Sequence, residues 1–162
     1  MKIFVIVGSL FPFDRLISTI DAWAATRKDI EITAQIGKSN FTPINLKYYV
    51  SLGAKEFNSC FSQSDLIISH AGMGVILKSL VENKPLLILP RRLEYKEHTT
   101  DHQMATVNAF SKMHYINIAM DTDALIEYLK EPERIVSRHQ ISPNASESLI
   151  NTLRGFIEKN IH

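Results

Sequence analysis

The chain has 162 residues, 45% of them hydrophobic, which is enough for one cored domain and too few for two of ordinary size. Its 18 Lys and Arg stand against 17 Asp and Glu, a net charge of +1, so the overall balance offers no ground for a nucleic-acid surface or a polybasic membrane anchor. Cys60 is the single cysteine, which excludes an internal disulfide; a reducing compartment and a small, buried, hydrophobic role for Cys60 are expected.

The first residues, "MKIFVIVGSLFPFDRLI", have the apolar look of a secretion leader. The run is short, carries no small-residue cleavage site and is broken at Gly8, Pro12 and Asp14, which suits a buried first strand better. No other stretch approaches the roughly 20 apolar residues of a membrane span, and a cytoplasmic chain is expected. Apolar runs predict strands over Lys2 to Val7, Ile30 to Gln35, Leu66 to Ser69, Leu86 to Leu89 and Tyr115 to Ile118, with a weaker one near Leu46 to Val50. Between them, Asp14 to Arg27 places Leu16, Ile17, Ile20, Trp23 and Ala24 on one stripe, and Val75 to Val81 and Ala105 to Phe110 also read as helices. The alternation predicts a doubly wound α/β domain, a parallel sheet covered on both faces, occupying residues 1–162 as one unit. At the end, residues 143–160 read as a capped amphipathic helix with Leu149, Ile150, Leu153, Phe156 and Ile157 on one face, either core or a docking surface.

Doubly wound domains hold ligands at the carboxyl ends of strands, where helix N-termini present free N–H groups. Two turns fit. In "VGSLFPFD", Gly8 permits close approach of backbone and Ser9 adds a hydroxyl, although an ordinary strand-to-helix turn reads the same way. In "SHAGMGV", Ala71, Gly72 and Gly74 clear the side chains from a helix start, which suits a diphosphate. This is not a Walker loop, because no Lys-Ser/Thr follows, and the dinucleotide spacing is absent. His70 can cap, stack, donate to phosphate or simply fill space. His98 and His102, four apart with Glu97 and Asp101 nearby, raise a metal site, but the H-E-x-x-H pattern and a third ligand are missing, and no metal is expected.

The stretch "SDLIISHAGMGVILKSLVENKPLLILPRRLEYKEHTTDHQ" resembles the donor-binding signature of the glycosyltransferase family 28 C-terminal domain. "FVIVGSLFPFDRLI" and "QIGKSNFTP" bring it nearer to the small subunits of two-subunit bacterial capsule and exopolysaccharide glycosyltransferases, the PssE-like proteins. More distantly, they are similar to the cytosolic subunit of the eukaryotic dolichol-linked N-acetylglucosaminyltransferase. The resemblance runs from about residue 2 to residue 128.

It implies a Rossmann-like domain equivalent to the C-terminal, donor-binding half of a GT-B enzyme, a length of chain that does not enclose both substrates. The implied activity is transfer of a hexosyl group from a UDP-sugar to a lipid-diphosphate-linked saccharide, with no cofactor. The implied partner is a membrane-associated, acceptor-binding subunit that supplies the catalytic base and places the chain at the inner face of the cytoplasmic membrane. Position by position, Gly8, Ser9, His70, Ala71, Gly72, Met73, Gly74, Arg91 and Arg92 would meet the nucleotide diphosphate, and Asp101, His102 and Gln103 the donor sugar. Gln103 is the preferred sugar reader, its amide able both to donate and to accept. One departure stands out: Lys78 occupies the position where many relatives carry an acidic residue for the ribose hydroxyls, leaving Glu82, one turn on, as the substitute. A non-catalytic nucleotide-binding or scaffold subunit is the rival reading.

Overall fold

The structure is a computed structural model that describes residues 1–144 and 146–160. Six strands, β1 (Lys2–Ile6), β2 (Glu31–Gln35), β3 (Lys47–Tyr49), β4 (Leu66–Ser69), β5 (Leu86–Ile88) and β6 (Asn117–Ile118), form one sheet in the order β3-β2-β1-β4-β5-β6. Every pairing is parallel, with Ile3 of β1 opposite Ile32 on one side and Leu66 on the other. Five helices flank it, α1 (Asp14–Ala24), α2 (Ala54–Gln63), α3 (Met73–Val81), α4 (His102–Met113) and α5 (Thr122–Lys130), and a further helix, α6 (Glu147–Asn160), follows.

The apolar strands predict burial on both faces, and β1 shows how the sequence achieves it. Strand side chains alternate in direction, so Ile3, Val5 and Val7 join Leu16, Ile17 and Ile20 of α1 and Leu125 and Leu129 of α5. Phe4 and Ile6 point the other way, toward Phe61 of α2, Ile76 and Leu80 of α3 and Val107 of α4. Each such aliphatic side chain contributes about 1.5–3 kcal/mol when fully buried.

Helices α2 and α5 have no counterpart in the sequence reading. In α2, Phe57, Cys60 and Phe61 share one stripe, and Phe57 packs edge-on against Phe4 at 5.4 Å. Three apolar residues in a polar decamer make a faint signal, and Cys60 is half-buried rather than buried as expected. Helix α5 begins where the Asp121 carboxylate accepts from the Ala124 N–H at 2.8 Å, an N-cap. Helix α1 stops at Ala24, three residues before the predicted end, because the Thr26 hydroxyl takes the Trp23 carbonyl and Arg27 turns to Asp29. His114 adopts a left-handed conformation (φ 55°) that closes α4 and shortens the predicted last strand to two residues. Helix α6 starts at Glu147, with the Ser146 hydroxyl accepting from the Leu149 N–H; Leu149 is 51% exposed, not core. The side chains of Leu153, Phe156 and Ile157 lie outside the described residues.

Candidate functional site

The strand order reverses between β1 and β4, and a doubly wound sheet opens its ligand crevice at that point, beyond the carboxyl ends of the strands. Three connections meet there: residues 7–13 after β1, residues 70–72 leading into α3, and residues 89–101 between β5 and α4. Together they enclose a cavity of about 190 Å³ lined by Gly8, Ser9, Leu10, Phe11, His70, Arg91, His98 and Gln103. That is smaller than the roughly 300–1,000 Å³ of complete small-molecule sites, as a half-cleft would be.

The glycines of the two predicted turns serve different ends. A Cβ on Gly72 would lie under 3.0 Å from the His70 imidazole, and one on Gly8 at 3.1 Å from its Nε2, so the ring needs both positions bare. Gly37, at φ 57°, brings the loop after β2 against the Gly8 carbonyl, which a Cβ would meet at 2.8 Å. That loop is strapped to α1: the Ile44 and Asn45 N–H groups donate to the buried Asp21 carboxylate, and Asn40 N–H donates to Asp14. Gly74 is different, since nothing lies within 4 Å of where its Cβ would be. Packing does not demand a glycine there, and the space beside it is open to a ligand. No side chain caps α3, whose N-cap is Gly72, so the first N–H groups of the helix also face that space unclaimed.

His70 is held by a short relay. The buried Ser69 hydroxyl donates to the Ile6 carbonyl at 2.8 Å and lies 3.2 Å from His70 Nδ1, so Nδ1 carries the hydrogen and Nε2 is left as an acceptor. Burial, and secondarily the charge of Arg91, pushes the imidazole pKa down to about 4. At neutral pH His70 is uncharged, a spacer and acceptor rather than a cationic phosphate ligand.

The 89–101 connection is clamped by side chains. Glu97, buried, receives Nε and Nη2 of Arg15 at 2.7 and 2.8 Å and the Arg92 N–H at 3.0 Å. Lys96, at φ 57°, makes the left-handed turn just before it. Asp101 accepts from the Leu93 N–H at 3.1 Å. Gln103, 5% exposed, accepts through one oxygen from the N–H groups of Ala71 and Arg91, tying the β4 and β5 turns together. Its acceptor is therefore spent on the fold, and the amide NH₂ is what it offers the cavity.

Arg91 and Arg92 diverge. Arg92 reaches out to the Met120 carbonyl and toward Glu94, away from the cavity. Arg91 is 2% exposed, stacked over Phe13 at 5.0 Å, with Nη1 donating to the Pro12 and Glu97 carbonyls.

Of the residues singled out in the sequence, Gly8, Ser9, His70, Arg91, His98 and Gln103 line the cavity, while Ala71, Gly72, Met73 and Gly74 follow His70 into α3 without lining it. Asp101 serves the loop, and His102 is exposed at the start of α4, its ring edge-on to His98 and bonded to the Thr100 hydroxyl. Glu82 is not brought to the cavity: it caps the far end of α3 and pairs with Lys78, which also sits over the Phe61 ring. The lining contains no carboxylate, so its chemistry suits an oxyanion better than a metal ion. Arg15, Leu10 and Phe11 were not foreseen, and Glu97 was noted only as a neighbour of the two histidines. The charged triplet Arg15, Arg91 and Glu97 is scattered over 82 positions, and only its mutual burial reveals it.

The parallel sheet order and the glycine turns at its switch point define a Rossmann-like domain. The chain belongs to the glycosyltransferase family 28 C-terminal domain family, which it matches over residues 2–158. It is 24% identical over 165 aligned residues to the UDP-N-acetylglucosamine--N-acetylmuramyl-(pentapeptide) pyrophosphoryl-undecaprenol N-acetylglucosamine transferase of Bacteroides thetaiotaomicron, covering 89% of this chain and 44% of that enzyme. It thus spans less than half of that relative. Its fold is similar to the solution structure of ALG13 (TM-score 0.57, 20% identity, 94% of both chains). It is similar too to MurG of Acinetobacter baumannii (TM-score 0.63, 17% identity, 95% of this chain and 49% of that one). Among the described residues no helix is long and apolar enough to cross a membrane.

Proposed function

We propose that the chain is the donor-binding subunit of a split glycosyltransferase, moving a hexosyl group from a UDP-sugar to a lipid-diphosphate-linked saccharide in capsule or exopolysaccharide synthesis. The observation that carries this reading is the bare N-terminus of α3 at the switch point, with open space at Gly74, four residues after His70, which lines the cavity together with the donors of Arg91 and Gln103. A nucleotide diphosphate laid across the turn meets backbone N–H groups and the positive end of the α3 dipole. As the sugar leaves, charge grows on the diphosphate, and donors already in place stabilise it without a metal.

The cavity is a half-cleft, and none of its lining side chains is a carboxylate poised as a base. On this reading the base and the acceptor site come from a membrane-associated partner, which would hold this chain at the inner face of the cytoplasmic membrane. ALG13, alike in fold over 94% of both chains, has the same extent as this chain.

The experiment is transfer of label from a panel of radiolabelled UDP-sugars into lipid, by membranes carrying the candidate partner, with and without this chain. Label that requires both components is the expected result and names the donor. Robust transfer by the purified chain alone would overturn the split arrangement. The scaffold reading draws on one observation, the Lys78–Glu82 pair, which leaves no free acid on α3 for a ribose. It predicts a stable complex with the partner and no saturable binding of UDP, whereas the donor reading predicts binding that Gly74→Val abolishes.

A further inference from the structure

Arg91 presents a problem of charge that the fold leaves unsolved. Its guanidinium is buried, yet Nε and Nη2 make no hydrogen bond, while Nη1 alone is satisfied by two carbonyls. No carboxylate touches it: Glu97, the acid nearby, spends both oxygens on Arg15 and the Arg92 N–H. A buried cation without a partner costs several kcal/mol, and two unmet N–H groups add to that. Nε and one terminal nitrogen form the side of the guanidinium that grips two oxygens of one oxyanion in parallel. Arg91 is a lining residue of the cavity, and its Nη2 lies 3.9 Å from where a Gly8 Cβ would stand, so the fork faces the bare Gly8 backbone.

Resting on the donor-binding reading, we infer that Arg91 is a specificity-determining oxyanion fork, gripping through Nε and Nη2 the anionic group nearest the transferred sugar. Two groups have that chemistry, the sugar-proximal phosphate of the nucleotide and the carboxylate of an acidic sugar. Arg15 and Glu97 act as positioning residues: by occupying the acid, they hold the loop in place while keeping the fork free. The Gln103 amide NH₂, fixed by its two backbone bonds, stands beside the fork as a further donor to the same ligand.

The test titrates UMP, UDP, UDP-glucose, UDP-glucuronate and inorganic pyrophosphate into the wild type, Arg91→Lys and Gly74→Val, by calorimetry and by shift of the unfolding temperature. Arg91→Lys retains the charge and a donor for the Pro12 and Glu97 carbonyls but not the fork, so it separates recognition from folding; its unfolding temperature without ligand checks this. If the fork holds phosphate, Arg91→Lys weakens UDP, both sugar nucleotides and pyrophosphate by roughly 10- to 100-fold and leaves UMP unchanged. If it holds a carboxylate, UDP-glucuronate alone loses affinity. Equal affinities of the wild type and Arg91→Lys for every ligand, or no binding of any of the five to the wild type, overturn the inference. Arg91-dependent binding of pyrophosphate without nucleotide binding would keep the fork and sink the donor reading instead.

Discussion

The two walls of the cavity are built on opposite plans. The α3 wall is bare backbone, two glycines and an uncapped helix start, in which Gly72 is needed by a neighbouring imidazole and Gly74 by nothing in the fold. The β5 wall is a mesh of side chains, with Glu97, Asp101 and Gln103 each spending their oxygens on the backbone or on Arg15. One wall is shaped by what is missing and the other by what is locked. Substitutions should therefore separate stability from binding at Gly74 and couple them at Gly72 and on the β5 side.

The largest effect is expected at Glu97. Glu97→Ala strands Arg15 beside Arg91 without an acid, and breaking a buried pair in this way costs about 3–5 kcal/mol. Denaturant unfolding should show a midpoint far below the wild type, and a change under 1 kcal/mol would mean the clamp is dispensable. Next comes Gly72→Ala, whose Cβ displaces the His70 ring at an expected ~1–3 kcal/mol together with loss of nucleotide binding.

His70 sharpens the comparison through pH. Its folded pKa, about 4, lies below the ordinary value of 6.5, so the unfolded chain binds the extra proton first. The stability this neutral ring contributes is complete above pH 6.5 and is lost as pH falls toward 4. Unfolding temperatures measured across that window should fall with acid, and the slope should flatten in His70→Gln; equal slopes would show that the ring titrates normally. The smallest effect on stability belongs to Gly74→Ala, which removes a helix glycine and should stabilise by up to ~1 kcal/mol. Its UDP affinity should nevertheless drop, the one substitution expected to move the two readouts in opposite directions. If both rise together, the open space beside Gly74 is not where the nucleotide lies.

Much of this arrangement is readable before folding. The βαβ rhythm, the apolar strands and the glycine turn are local patterns, because side-chain alternation and turn stereochemistry act between residues a few positions apart. The glycine turn was therefore legible as "SHAGMGV", and Gly8, His70, Arg91 and Gln103 proved to share a cavity. Helix α2 was not legible, since its three apolar side chains become a pattern only against Phe4. Likewise, nothing in "PRR" distinguishes the buried arginine from its half-buried neighbour.

The sequence by itself determined the strands, the α/β class and the place of the glycine turn, because these rest on periodicity and on backbone freedom. Only the tertiary structure decided that Glu97 would belong to Arg15, that Gln103 would spend its acceptor on two backbone amides, and that Arg91 would keep two donors free. Such choices depend on which partner a desolvated group finds when distant segments close over it. That competition among nearly equal hydrogen bonds is settled by geometry in three dimensions, where a single ångström outweighs any preference written into neighbouring residues.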